Sequence, residues 1–261
     1  MADVIVERHD KVLLLRFNRP EALNSFGGTL LEDYVAALEE ARRDDGVHAI
    51  VTTGQGKGFC AGTDLARIGR PRDPGEPVDT PLFDRFDLRG RVGRMAILLN
   101  EIDKPMIAAV NGAAAGAGLA LALHHDYRIA SDAAKFTATY MNIGLAPDAN
   151  LSYALPRAVG WPVASDLLFT ARMVLAEEAL QLGLVQKVVP AETLVDAALA
   201  YAQTIAARPP MAVQFTKRAL RRSWQHTFEE HVEYEWMGQR WHGETGVSRY
   251  AAAEFLARRK G

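Results

Sequence analysis

The stretch from Lys104 to Asn150 limits what this chain can fold into more than any other. It opens with the apolar run Met106–Val110, the length of a buried strand. Asn111-Gly112 then signals a turn. Gly116, Ala117 and Gly118 lead into Leu119–Leu123, which is rich in helix formers. A strand, a small-residue turn and a helix start leave backbone N–H groups free at a positive helix terminus. Such a terminus stabilises an anion, and small residues let a ligand touch the backbone. Downstream, Asp148 follows Pro147 in an otherwise apolar stretch. The whole reads as an oxyanion site followed by one carboxylate.

Around this unit, strands and helices alternate. Val4–Val6 and Val12–Phe17 read as a hairpin. Thr29 is a plausible N-cap for a helix carrying Leu30, Leu31, Tyr34, Val35 and Leu38, and Asp44-Asp45-Gly46 ends it. Val47–Thr53 is a predicted strand, and Gly54-Gln-Gly-Lys-Gly58 a turn-rich loop. Arg67 to Arg91 is rich in proline and glycine and reads as a long surface connector; as a lid it would bring Phe83 and Phe86 to a ligand tail. Arg91–Ile102 is a predicted helix, and Tyr127–Ala130 and Lys135–Thr139 are predicted strands. Helices follow over Ser152–Val159, Val163–Phe169 and Ala176–Leu182, then a last strand over Leu184–Val189. A long helix after Pro190 runs to about Ala207, and Met211–Trp224, Phe228–Trp241 and Val247–Lys260 are helical. The expected organisation is an α/β core over residues 1–189 and a helical region over residues 190–261.

At 261 residues the chain can bury a large core. A net charge of −2, with no basic arm, gives no reason to expect nucleic acid as a partner. The apolar runs are broken before the roughly 18 residues a membrane span needs. The first residues lack the basic-then-apolar order of a signal peptide, and Arg-Arg-Lys-Gly261 is not a peroxisomal address, so the expected location is cytoplasmic. The one cysteine, Cys60, excludes an internal disulfide and reads as a small buried residue.

Two small-residue turns are candidates for chemistry: Cys60-Ala-Gly-Thr63 and Ala115-Gly-Ala117-Gly118. An oxyanion hole needs two converging N–H donors about 2.7–3.1 Å from the developing negative oxygen. Each turn could supply one, although either alone would serve equally for close packing. Asp148, in an apolar loop, is expected to be partly desolvated, which suits proton transfer near neutral pH. As a simple turn residue after Pro147 it would instead accept local backbone hydrogen bonds. His124-His125-Asp126 reads as a helix C-terminus where histidine complements the dipole. His226, Glu229, Glu230 and His231 lack the i, i+4 histidine spacing of a zinc helix, and no metal is assigned. Lys217, Arg218, Arg221 and Arg222 form a basic helix face, solvated or able to meet phosphates.

Five segments, in order, carry a family resemblance: Asn18-Arg-Pro-Glu-Ala-Leu-Asn24, Gly58-Phe-Cys-Ala-Gly-Thr-Asp-Leu65, Lys104-Pro through Gly118, Ile143-Gly-Leu-Ala-Pro-Asp148, and Ala179 through Gly183-Leu-Val185. In these the chain resembles the crotonase superfamily, also called the enoyl-CoA hydratase/isomerase family. The resemblance implies a crotonase-like spiral of ββα units with a C-terminal helical trimerisation region, hence a homotrimer or homohexamer. It implies an acyl-CoA thioester substrate, with CoA as part of the substrate and no separate cofactor. It puts the oxyanion donors on the N–H groups of Thr63 and Ala117, where Ala117 replaces the usual glycine and leaves the turn less free to adopt positive φ. Substrate contacts are implied at Ala61, Gly62, Thr63, Asp64 and Leu65, with Ala117 and Tyr140; Lys217, Arg218 and Arg258 of a neighbouring subunit would meet the CoA phosphates.

The two glutamates of the hydratases would fall at Ala120 and Tyr140, and neither is an acid. Pro147-Asp148 instead resembles the acidic position of Δ3,Δ2-enoyl-CoA isomerases of fatty acid metabolism, which implies a 1,3 proton shift run by one carboxylate. The resemblance leaves two alternatives. The 4-chlorobenzoyl-CoA dehalogenase branch uses an aspartate at this place as a nucleophile. It also carries a histidine in the helix before Lys104, where Arg91–Ile102 has none, and a tryptophan where Tyr140 stands. A non-catalytic acyl-CoA-binding member is the third reading.

Overall fold

The computed structural model describes residues 2–64, 87 and 89–258. Strands β1 (Val4–His9) and β2 (Val12–Phe17) form the expected antiparallel hairpin. Its tight turn puts Asp10 at φ 55°, a conformation aspartate tolerates better than most residues. Helix α1 (Leu30–Arg43) buries Leu30, Leu31, Tyr34, Leu38 and Ala41, the stripe that helical spacing predicts. Thr29 occupies its N-cap position but caps no backbone N–H; its hydroxyl lies 2.9 Å from the Asp33 carboxylate.

Three strand pairs then repeat one pattern. Strand β3 (Ala49–Gly54) is followed by β4 (Gly58–Cys60). After α2 (Gly90–Glu101), β5 (Met106–Val110) is followed by β6 (Ala113–Ala115) and α3 (Ala117–Leu123). Then come β7 (Tyr127–Ser131) and β8 (Lys135–Thr137). The first member of each pair joins a six-stranded sheet of order β1-β2-β3-β5-β7-β10, parallel from β2 onward. The second member joins a four-stranded sheet of order β4-β6-β8-β9. This is the expected spiral, each turn adding one strand to each sheet. The remaining elements in chain order are α4 (Leu151–Val159), α5 (Trp161–Thr170), β9 (Val174–Leu175), α6 (Ala176–Gln181) and β10 (Lys187–Val189). Helices α7 (Leu194–Ala206), α8 (Pro210–Arg222), α9 (Phe228–Glu244) and α10 (Val247–Arg258) close the chain.

The six-stranded sheet is covered on both faces, so β3 and β5 are buried at every residue. Alternation divides their side chains. Leu13, Leu15, Phe17 and Ile50 face a core shared with α1, α2 and α3. Val12, Leu14, Val51 and Ile107 face α7 through Leu194, Ala198 and Ala202. Thus α7, beyond the expected boundary at residue 189, forms part of the sheet's cover.

Polar struts tie the layers. The Lys104 ammonium donates to the carbonyls of Ala41 and Asp44, both at 2.6 Å, which satisfies the C-terminus of α1. Lys217, expected to meet phosphates, is instead buried: it pairs with Asp126 at 2.6 Å and donates to the Lys104 carbonyl at 2.9 Å. Its basic neighbours Arg218 and Arg221 both pair with Asp103. Phe83 and Phe86, the residues a lid would bring to a ligand, lie outside the described residues.

Candidate active site

The first small-residue turn leaves β4 at Cys60. Two asparagines anchor this corner. Asn24, fully buried, donates to the carbonyls of Gln55 and Gly58 at 3.0 and 2.7 Å. Asn111 donates to those of Gly56 and Gly58 at 2.9 and 3.0 Å. Ala61 N–H donates to the Leu23 carbonyl, and Phe26 N–H to that of Gly62. Gly62 takes φ 81°, a region glycine enters freely. The chain then presents Thr63 at the surface, and its N–H makes no backbone hydrogen bond to another described residue. Asp64 is half-buried, and Leu65 lies outside the described residues.

The second turn enters α3. Its positive φ, 52°, belongs to Gly116, while Ala117 is the first helical residue and needs no such angle. The concern about alanine at 117 is therefore met by the glycine before it. As a first-turn residue, Ala117 has an N–H without an intrahelical acceptor. The two turns are packed together: a Cβ added at Gly62 would stand 3.2 Å from Ala117 N and 2.5 Å from the Ala115 carbonyl oxygen. The backbone of the first turn thus lies directly against that of the second, as sequence alone could not establish.

Tyr140 opens a single 3-10 turn, Tyr140–Ile143, and is 5% exposed. Its ring reaches Gly116, where an added Cβ would meet the phenolic carbon at 3.7 Å and the oxygen at 3.8 Å. The hydroxyl donates to Asp148 Oδ1 at 2.6 Å. Burial, reinforced by this bond to the carboxylate, pushes the phenol's pKa well above its ordinary value. Tyr140 therefore joins the second turn to Asp148.

Asp148 itself is exposed, which corrects the expectation of an apolar, desolvated setting. It opens on a cleft of about 1030 Å³ between α2 and α8, whose walls include Ile97, Asn100, Tyr153 and Arg221. The backbone after it is unusual: Ala149 and Asn150 take φ 48° and 63° in succession. A side chain absent from the expected site holds this bend. His124 Nε2–H donates to the Ala149 carbonyl at 2.9 Å. Burial lowers the pKa of His124, and it lowers that of His125 to about 3. His125 is buried and His124 half-buried, and desolvation disfavours the charged form of each, which corrects their reading as cations at a helix end. His125 Nδ1–H donates to the Leu121 carbonyl, and its Nε2 accepts from Thr52. No local pattern marks His124 as an anchor for a loop 25 residues on.

Cys60 is fully buried, and burial pushes its thiol up to about 12, as suits a packing residue. Among the described residues, no cluster of three or more His, Cys, Asp or Glu side chains is placed to hold a metal ion, and no helix is long and apolar enough to cross a membrane.

A spiral of paired strands, two apposed small-residue turns and a carboxylate tied to one of them define a class of protein rather than one member. The family model for enoyl-CoA hydratase/isomerase matches residues 7–260. The chain belongs to this family, the crotonase superfamily, and is one of its acyl-CoA enzymes. It is 35% identical to 1,2-epoxyphenylacetyl-CoA isomerase of Escherichia coli, covering 99% of this chain and 97% of that protein. It is 34% identical to the short-chain-enoyl-CoA hydratase of Clostridium acetobutylicum, covering 89% of this chain and 86% of that protein. A solved enoyl-CoA hydratase-family structure from Geobacillus kaustophilus superposes with a TM-score of 0.87 at 30% identity, covering 98% of this chain and 96% of the other.

Proposed function

We propose that this protein is an enoyl-CoA isomerase that moves a double bond between the Δ3 and Δ2 positions of an acyl-CoA thioester. The observation that carries this is the Tyr140–Asp148 hydrogen bond of 2.6 Å, with the Tyr140 ring against Gly116 of the second turn. It puts a carboxylate beside one of the two candidate oxyanion turns. The Asp148 carboxylate takes a proton from C2, and the electron pair moves into the thioester carbonyl to give a dienolate. The N–H groups of Thr63 and Ala117 hold its oxygen. Asp148 then returns the proton to C4, leaving the double bond at C2–C3. One acid–base group suffices, whereas hydration needs a water-activating group, and Ala120 and Tyr140 supply no carboxylate. The isomerase of Escherichia coli described above supports the reading; the hydratase relative keeps hydration as the competing outcome. CoA is expected along Ala61–Leu65.

Product analysis with 3-enoyl-, 2-enoyl- and haloaroyl-CoA tests the assignment. Asp148→Asn keeps the shape but cannot take the proton, so isomerisation falls at least about 100-fold with acyl-CoA affinity little changed. Full isomerase activity in Asp148→Asn would overturn the acid–base role. A covalent acyl adduct on Asp148 after rapid quenching would replace it by nucleophilic chemistry.

A further inference from the structure

A proton shuttle on one carboxylate has a geometric demand: the same group must meet two carbons in turn. An exposed aspartate satisfies it poorly, because its side chain rotates and hydrates freely. Here the backbone around Asp148 is already fixed. Ala149 and Asn150 sit in left-handed conformations, which cost free energy for residues with a Cβ and persist only when surroundings impose them. His124, half-buried at the end of α3, holds the Ala149 carbonyl at 2.9 Å. What these leave free is the Asp148 side chain.

We propose that Tyr140 is the positioning residue for Asp148, fixing Oδ1 so that Oδ2 is the oxygen that carries the proton. The inference rests on the isomerase reading above. Its geometric basis is the 2.6 Å bond from a hydroxyl whose own ring is buried against Gly116. A donor anchored in this way cannot follow a rotating carboxylate, so it restrains it. The phenol stays protonated throughout the working range, because burial and the adjacent carboxylate both oppose its ionisation. It therefore always donates, and one carboxylate oxygen is always engaged. The ring also ties Asp148 to the turn that carries Ala117, so the acid–base group and one oxyanion donor move together.

A kinetic cycle of wild type, Tyr140→Phe, Asp148→Asn and the double variant on 3-enoyl-CoA tests the assignment. Tyr140→Phe lowers kcat by about 10- to 100-fold, the scale of a small misplacement, with KM within about twofold. In the Asp148→Asn background the same change costs nothing further, because the group it positions is gone. An unchanged kcat in Tyr140→Phe, or an equal cost in both backgrounds, overturns the positioning role and leaves the Asp148 assignment intact. Full activity in Asp148→Asn overturns both. A second measurement does not depend on how much of the variant folds: deuterium incorporated per product formed in deuterium oxide. A loosened carboxylate exchanges with solvent before returning its proton, so Tyr140→Phe incorporates more label per turnover than wild type. An equal ratio overturns the proposal.

Discussion

His125 and its neighbour show how burial reverses what a side chain does. Beside Asp126 at the end of a helix, each histidine reads from sequence as a cation facing carbonyls. In the fold, His125 lies between α3 and β3, with Thr52 and Leu121 as its partners and Tyr34 behind Thr52 at 3.1 Å. Its folded pKa, about 3, is well below the unfolded value near 6.5. The unfolded chain therefore takes up a proton that the native state refuses. Stability is at its plateau above about pH 6.5 and falls as the pH drops toward 3, by up to about 1.4 kcal/mol per unit for this one group. His124, shifted the same way by burial, adds in the same direction. Urea midpoints measured from pH 7 to pH 5 check this, and a flat profile would contradict it.

At the scale of elements, the question is how a short second sheet can lie against the first. Strand β4 has three residues and β9 two, too short to show a period, and β6 is three alanines, weak strand formers. They are strands because their neighbours pair with them, and because small residues let backbones touch. Gly118 on α3 makes one of the tightest such contacts near the site. A Cβ there would stand 1.9 Å from the Cys60 carbonyl oxygen and 2.7 Å from its carbon. These are backbone atoms, which cannot swing aside, so Gly118→Ala should cost about 1–3 kcal/mol. Gly93 on α2 is the control: its added Cβ would meet only the Arg89 side chain, at 3.8 Å, an ordinary contact. Gly93→Ala should be neutral or stabilising by up to about 1 kcal/mol, since alanine is the better helix former. Equal denaturation midpoints for the two variants would refute the packing account.

Across the whole molecule, the last helices carry apolar surface that this chain leaves uncovered. Phe228 is 81% exposed, Trp224 69% and Trp236 65%, and α9 buries only Gly238. Aromatic area of this size on α9 and the turn that precedes it is costly in water. A closed ring of identical subunits would cover it on every copy. The expected outcome of sedimentation at micromolar concentration is a trimer or a hexamer, and a stable monomer would refute it.

The residues themselves determined most strands of the large sheet, the helices that cover it and the identity of the small-residue turns. Apolar runs such as Met106–Val110 and the spacing of Leu30, Tyr34 and Leu38 need only local chemistry to be read. The motif residues also named Thr63, Ala117, Tyr140 and Asp148. Only the tertiary structure decided how they stand to one another. It laid Gly62 against Ala117 N, brought Tyr140 to Asp148 and sent His124 to the Ala149 carbonyl. It left Asp148 exposed where an apolar setting was expected, and buried Lys217 where phosphate binding was expected. The physical reason is the same in each case. Burial and backbone approach are properties of segments that meet in space, and no single segment carries the identity of the one it will meet.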